Sequence, residues 1–261
     1  MIMNSNLSSV HPEAIIGKNV TISPFVTIDK NVVIGDGTTI YPNAVILSGA
    51  RIGENCQIFP GAVVSGIPQD LKFQGEETIC EIGNNTTLRE CVTVNRGTAS
   101  KGKTVVGSNC LLMAYSHVAH DCVVKDYVII GNTTQLAGEV EVDDYAILSG
   151  GTLIHQFCKI GKHVMIQGGS RASKDIPPYI IAGREPLTFS GVNIIGLRRR
   201  GFTNDQISAI QEIYRSLYQS GLNNSEAIKF IEANMPDSDE KKEIVTFVVN
   251  SERGILRGYL E

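Results

Sequence analysis

The sequence predicts a mainly β solenoid, a parallel β-helix built from six-residue repeats, followed by a C-terminal α-helical domain. Three observations carry this. First, stepping by six from Val10 to Ala172, with positions 70, 76 and 100 set aside in two interruptions, puts Ile, Leu or Val at 24 of 25 positions, the exception being Ala172. Second, a period of six fits neither a 3.6-residue helix nor a continuous alternating strand, so the chain must be made of short strands joined by corners. Third, Gly is frequent (26 residues), Trp is absent and aromatics are only 6%. That composition suits many tight corners and few large core anchors.

The first run of hexads extends from Val10 through Ile16, Ile22 and Ile28 to Val64. One aliphatic side chain per hexad points inward, and a small residue four places later packs beside it, as at Ala14, Ala44, Cys56 and Ala62. Gly and Asn often follow, as in Ile16-Gly17-Lys18-Asn19 and Ile52-Gly53-Glu54-Asn55, because they tolerate corner dihedrals. Three hexads close one 18-residue triangular coil. About eight coils, stacked at about 4.8 Å, give a prism roughly 40 Å long. Two interruptions, residues 70–81 and 100–105, are expected to leave the prism as loops, and solenoid loops commonly carry function. The second run resumes at Val106 and continues to Ala172.

Beyond Pro177-Pro178 the hexads stop, and from residue 192 the period becomes helical. Thr203 and Gln206 have capping-box spacing, Ile207, Ile210, Ile213, Tyr214 and Leu217 follow at helical intervals, and Gly221 supplies a stop. Ser225 to Met235 and Asp239 to Ser251 read as further amphipathic helices. The expected division is residues 1–190 as the β-helix and 191–261 as the helical domain.

Composition excludes several functions. A net charge of −4 disfavours a nucleic-acid binder. No secretory signal and no run of about 18 apolar residues is present, so the expectation is a cytoplasmic protein without an integral membrane segment. The six cysteines form no C-x-x-C pair, and four of them occupy the small-residue phase, so they read as buried reduced thiols.

Repeat phase also locates chemistry. His120 lies two places after Val118, Gly138 two after Leu136 and Gln156 two after Ile154. The three therefore form one column. An imidazole there can take a proton from a hydroxyl. A glycine N–H in the next coil, unobstructed by a side chain, can hold a developing oxyanion. Together they suit acyl transfer. Two other readings stay open at this point. Zinc held by His117, His120 and His155, as in a trimeric carbonic-anhydrase-like protein, lacks a strong spacing signature, and the prism can also serve as an inert scaffold. Asp121 can orient His120, but sequence neighbours on a strand face opposite ways, so it is left out of the catalytic set.

Several segments together resemble a known family. They are Ile67-Pro68-Gln69-Asp70-Leu71-Lys72, Asn95-Arg96-Gly97-Thr98, Ala119-His120-Asp121-Cys122, Leu136-Ala137-Gly138, His155-Gln156-Phe157-Cys158 and Gly191-Val192-Asn193 through Arg198-Arg199-Arg200-Gly201. The chain is similar to the left-handed β-helix acyltransferases that act on UDP-N-acetylglucosamine in lipid A synthesis. The left hand of the coil comes from that resemblance, since right-handed crossovers are the usual preference. The resemblance implies transfer of an (R)-3-hydroxyacyl group from acyl carrier protein to the glucosamine 3-hydroxyl, by a homotrimer with no cofactor and no metal. It assigns His120 as general base and Gly138 as oxyanion donor. It places Asp70, Lys72, His117, His155, Gln156, Asn193 and Arg199 around the nucleotide sugar, and makes Gly168 the residue that sets acyl length. The related N-acyltransferases of lipid A synthesis carry an extra N-terminal domain, for which hexads starting at Val10 leave no room. Glu139 and Ile195 depart from the family, standing where His and Glu are often found. That leaves fine sugar contacts open, including acceptance of a 3-amino sugar to give an amide.

Overall fold

A computed structural model describes residues 3–4 and 7–258 of the chain. It is a left-handed parallel β-helix with helices at its C-terminal end. Among the described residues most strands are two residues long and stack in register into three sheets of eleven, nine and eight strands that form the faces of a triangular prism, parallel except for the last pair of the eleven-stranded sheet. His117↔Gln135 and Val118↔Leu136, for instance, pair across one coil, and Gln135↔Leu153 and Leu136↔Ile154 across the next.

The hexad explains this geometry. In Thr21-Ile22 or Gln135-Leu136 the first residue faces out and the second fills the prism. The inward aliphatics from Ile22 to Ala172 are at most 3% exposed, and burying each contributes about 1.5–3 kcal/mol. Val10 and Ile16 are only partly buried, because the first coils have one neighbour fewer to pack against. Three places after the inward residue the chain turns with positive φ, at Asn19, Asn31, Asn55, Asn85, Asn109, Tyr127, Tyr145 and His163 among others. Asn reaches this left-handed region at little cost, which accounts for its recurrence.

Both interruptions begin and end a few residues earlier than the sequence suggests. The first was expected over 70–81, but Ile79–Ile82 is already strand and pairs with Ala50–Ile52. The second was expected over 100–105, but Lys103–Val106 is strand. The two extended strands pair with each other, Ile79↔Lys103 and Cys80↔Thr104, so the end of each insertion lengthens the ladder where the chain rejoins it. The projecting loops are therefore about 67–78 and 96–102.

After the last coil, Ile180–Gly183 and Thr188–Val192 form an antiparallel pair that the hexad pattern did not announce. Among the described residues four helices follow: α1 (Ile194–Arg199), α2 (Asn204–Tyr218), α3 (Asn224–Asn234) and α4 (Asp239–Val249). The capping box at Thr203 and Gln206 is present, and α2 buries Ile207, Ile210, Ile213, Tyr214 and Leu217. An aromatic ladder along one prism edge receives this end of the chain. Tyr127, Tyr145, His163 and Tyr179 stack in succession, and Phe202 meets the last two edge-on. Arg200 lies over the Tyr145 ring and donates to its carbonyl. The Asn corners of earlier coils thus give way to aromatic corners where the helices dock.

Candidate active site

Residues 119–122 form the corner between the nine- and eight-stranded sheets. His120 is 9% exposed, and its Nδ1 is 2.8 Å from Asp121 Oδ2. The pairing corrects the sequence reading that set Asp121 aside. Asp121 is three places after Val118, in the corner phase, and has φ +60°. Strand alternation does not hold there, and the turn brings the two neighbouring side chains to the same side. The signal was present in the hexad, since Asn19 and Asn55 occupy the same phase.

Asp121 is fully buried and held on both oxygens. Oδ1 accepts from the backbone N–H groups of Thr98 (2.9 Å) and Lys101 (3.2 Å), and Oδ2 accepts from the Thr98 hydroxyl (2.7 Å) as well as from His120. Burial pushes its pKa up. The donations from Thr98, His120 and Lys101 outweigh that and hold the carboxyl below its ordinary value. A carboxylate against Nδ1 requires a proton there and leaves Nε2 with the free lone pair. Thr98 and Lys101 come from the second insertion, and neither residue stood out as a candidate in the sequence.

Gly138 lies one coil on. A Cβ at this position would come within 2.6 Å of His120 Cε1 and 2.7 Å of Nε2, so the imidazole rests directly on the glycine. The Gly138 N–H has no protein acceptor among the described residues. Gln156 stands in the next coil of the same column, and the Phe157 N–H donates to the Gly138 carbonyl. Beside it, the exposed His155 sets Nδ1 3.0 Å from the Gln156 carbonyl. His117 faces outward on the adjoining sheet with Nδ1 2.7 Å from Thr93 Oγ1. Burial, and more weakly the nearby His120, pull its pKa down.

The first insertion reaches over this edge. Asp70 Oδ2 is 4.0 Å from His120 Nε2, and Asp70 Oδ1 accepts from the Lys72 N–H. Lys72 itself is exposed. Beyond it, the Phe73 ring lies under the Arg96 guanidinium, and Glu76 accepts from the Ala99 N–H, so the two loops are joined. Among the described residues no three His, Cys, Asp or Glu side chains converge as a metal site requires. Five of the six cysteines are buried and all are free. Burial pushes Cys80 and Cys122 up to about 12, far from a reactive thiolate.

Three predicted residues lie elsewhere in the chain. Asn193 caps α1, accepting from the Gly196 N–H and donating to the His163 carbonyl, which puts it on the aromatic edge. Arg199 is exposed in the last turn of the same helix, and Ile195 is 67% exposed in its first. Gly168 is exposed on the third edge, where a Cβ would meet the Gly150 carbonyl oxygen at 3.1 Å. A single chain therefore gathers His120, Gly138, Gln156, His155, His117, Asp70 and Lys72, and leaves Asn193, Arg199 and Gly168 on other edges.

Residues 175–256 match the family described as UDP N-acetylglucosamine O-acyltransferase, domain 2, and residues 31–66 and 103–138 match the bacterial transferase hexapeptide repeat. An acyl-[acyl-carrier-protein]–UDP-N-acetylglucosamine O-acyltransferase of Xylella fastidiosa is 43% identical, over 98% of this chain and 100% of its own length. Its counterpart in Aliarcobacter butzleri is 47% identical over 93% of each. The crystal structure of a UDP-N-acetylglucosamine acyltransferase from Bacteroides fragilis superposes with a TM-score of 0.97 at 60% identity, covering 98% of this chain and 100% of that one.

Proposed function

Since the chain belongs to the acyl-[acyl-carrier-protein]–UDP-N-acetylglucosamine O-acyltransferase family, we propose that it moves an (R)-3-hydroxyacyl group from acyl carrier protein to the 3-hydroxyl of UDP-N-acetylglucosamine, the first step of lipid A synthesis. The observation that supports the mechanism best is the His120–Asp121 pair packed on Gly138. His120 Nε2 takes the proton of the sugar hydroxyl as its oxygen attacks the thioester carbonyl. The Gly138 N–H stabilises the oxyanion of the tetrahedral intermediate. Collapse breaks the carbon–sulfur bond, and the imidazolium returns its proton to the departing thiolate. Asp121 holds the reactive tautomer and stabilises the imidazolium, the part that a buried carboxylate plays in a hydrolytic triad.

Asp70, Lys72, His117, His155 and Gln156 line this edge and are assigned to the nucleotide sugar. Asn193 and Arg199 are assigned to the same ligand from a neighbouring subunit, because within one chain they sit on another edge. A homotrimer supplies that neighbour and turns a shallow edge into a cleft. An outward stripe of Leu111, Ile129, Ile147, Met165 and Ile181 on the eleven-stranded sheet supports self-association, since these side chains are only partly covered in one chain. In this reading residues 1–190 carry the chemistry and residues 191–261 complete the sugar site. Among the described residues no helix is long and apolar enough to cross a membrane, as suits a reaction between two water-soluble substrates in the cytoplasm.

Mass spectrometry of the product from UDP-N-acetylglucosamine and a panel of 3-hydroxyacyl carrier proteins tests the reading. A mono-O-acylated nucleotide sugar is expected. An amide formed only with a 3-amino sugar acceptor, or no acyl transfer, would overturn it.

A further inference from the structure

We propose that Thr98 is a positioning residue for the acyl transfer, acting through Asp121 on His120; the inference rests on His120 as the base. Asp121 is fully buried, and protein groups on both oxygens fix its carboxylate. Thr98 grips both oxygens, its N–H on Oδ1 at 2.9 Å and its hydroxyl on Oδ2 at 2.7 Å. Oδ2 is also the oxygen that meets His120 Nδ1. The hydroxyl has a defined direction. Its oxygen accepts from the Ser100 N–H at 3.2 Å, so its own hydrogen is left for Asp121. Thr98 is itself only 7% exposed.

The loop that carries Thr98 is braced. The Gly102 N–H donates to the Thr98 carbonyl, and the Thr78 hydroxyl donates to the Gly97 carbonyl at 2.6 Å. The Ala99 N–H reaches Glu76 in the first insertion, the loop that brings Asp70 over the imidazole. The second insertion is therefore a bracket for the His–Asp pair. Such outer supports commonly decide whether a catalytic group is held in productive geometry.

Several other charged or titratable groups surround the pair. Asp70 approaches Nε2 from the first insertion, and His117 stands on the strand just before the corner. Glu139 turns the next coil, its N–H donating to the His120 carbonyl. The Lys101 ammonium is occupied by Glu141 at 3.3 Å. None of these donates to Oδ2, so among the described residues the Thr98 hydroxyl is the one neutral donor that tempers the charge His120 faces there.

The test compares the full-length Thr98→Val and Thr98→Ser variants with wild type in kcat, KM and the pH dependence of kcat/KM. Valine keeps the volume and the backbone donation and deletes the hydroxyl. A fall in kcat of about tenfold is expected, as for loss of one hydrogen bond to a charged group, with KM for UDP-N-acetylglucosamine within about twofold. The acid limb of kcat/KM should move to higher pH, because an untempered Asp121 charge holds the imidazolium proton more firmly and the base must be neutral to act. Serine should restore both. Unchanged kcat and acid limb in Thr98→Val would overturn the proposal. So would a fall in kcat with an unmoved acid limb, the result of a merely structural role. His120→Ala, run in parallel, separates the layers. If it loses turnover while Thr98→Val is unaffected, only the positioning role fails; if it keeps turnover, the base assignment fails and the positioning role with it.

Discussion

Replacing Gly138 by alanine keeps the backbone N–H proposed to hold the oxyanion, yet should disable the enzyme. Gly138 does not have positive φ among the described glycines, so alanine fits the backbone. Its new methyl would sit 2.6 Å from His120 Cε1, against an ordinary contact of at least 3.4 Å, so the ring must retreat by about 0.8 Å. The ring cannot yield cheaply. It is 9% exposed and tied to Asp121, which is in turn held by three further donors. Misplacement of a reacting group by about 1 Å commonly costs about 10²-fold in rate, and overpacking of this kind costs about 1–3 kcal/mol of stability. The expected variant is folded, melts a few degrees lower and has kcat reduced by about 10²-fold with little change in KM for the sugar. Thiol release from acyl carrier protein thioester measures the rate, and circular dichroism checks the fold. Activity within about threefold of wild type would refute the close packing of imidazole on glycine.

Asp121→Asn should lose at least tenfold in kcat, because the amide no longer requires a proton on Nδ1, and it should also flatten the acid side of a plot of Tm against pH. Since the Asp121 pKa is lowered in the folded state, its stabilisation is complete above the ordinary carboxylate value and is lost as pH falls through the lowered one. Gly168→Met, on an exposed edge with only the Gly150 oxygen at 3.1 Å from the new Cβ, should fold and prefer shorter acyl donors. Each methylene left unburied forfeits about 0.8 kcal/mol, and an unchanged donor ranking in kcat/KM would remove Gly168 from the acyl groove. Sedimentation equilibrium at micromolar concentration should give a trimer, and a stable monomer would contradict a site completed by Asn193 and Arg199 of a neighbour.

Most of the fold was legible because its repeat is short and strict. The inward phase from Ile22 to Ala172 could be numbered residue by residue, and so could the column His120, Gly138, Gln156. The helices were legible too, since Thr203 and Gln206 mark a cap and the apolar residues of α2 fall at helical spacing. Failures came where local rules met a corner. Asp121 was discounted by strand alternation, although its phase made it a turn residue. The insertions were drawn a few residues too late because Ile79 and Lys103 lie outside the hexad count yet pair with each other. The part played by Thr98 could not be read from the sequence. It depends on a contact 23 residues along the chain, set by how the second insertion folds back over the corner.

The most direct test of the account is single-turnover acyl transfer by His120→Ala. With general base catalysis worth about 10²–10⁴, the account predicts a loss of that size or more at neutral pH, with the fold, the assembly and the binding of UDP-N-acetylglucosamine retained. Turnover near that of wild type would contradict it, and would move the chemistry away from the edge where His120, Asp121 and Gly138 meet.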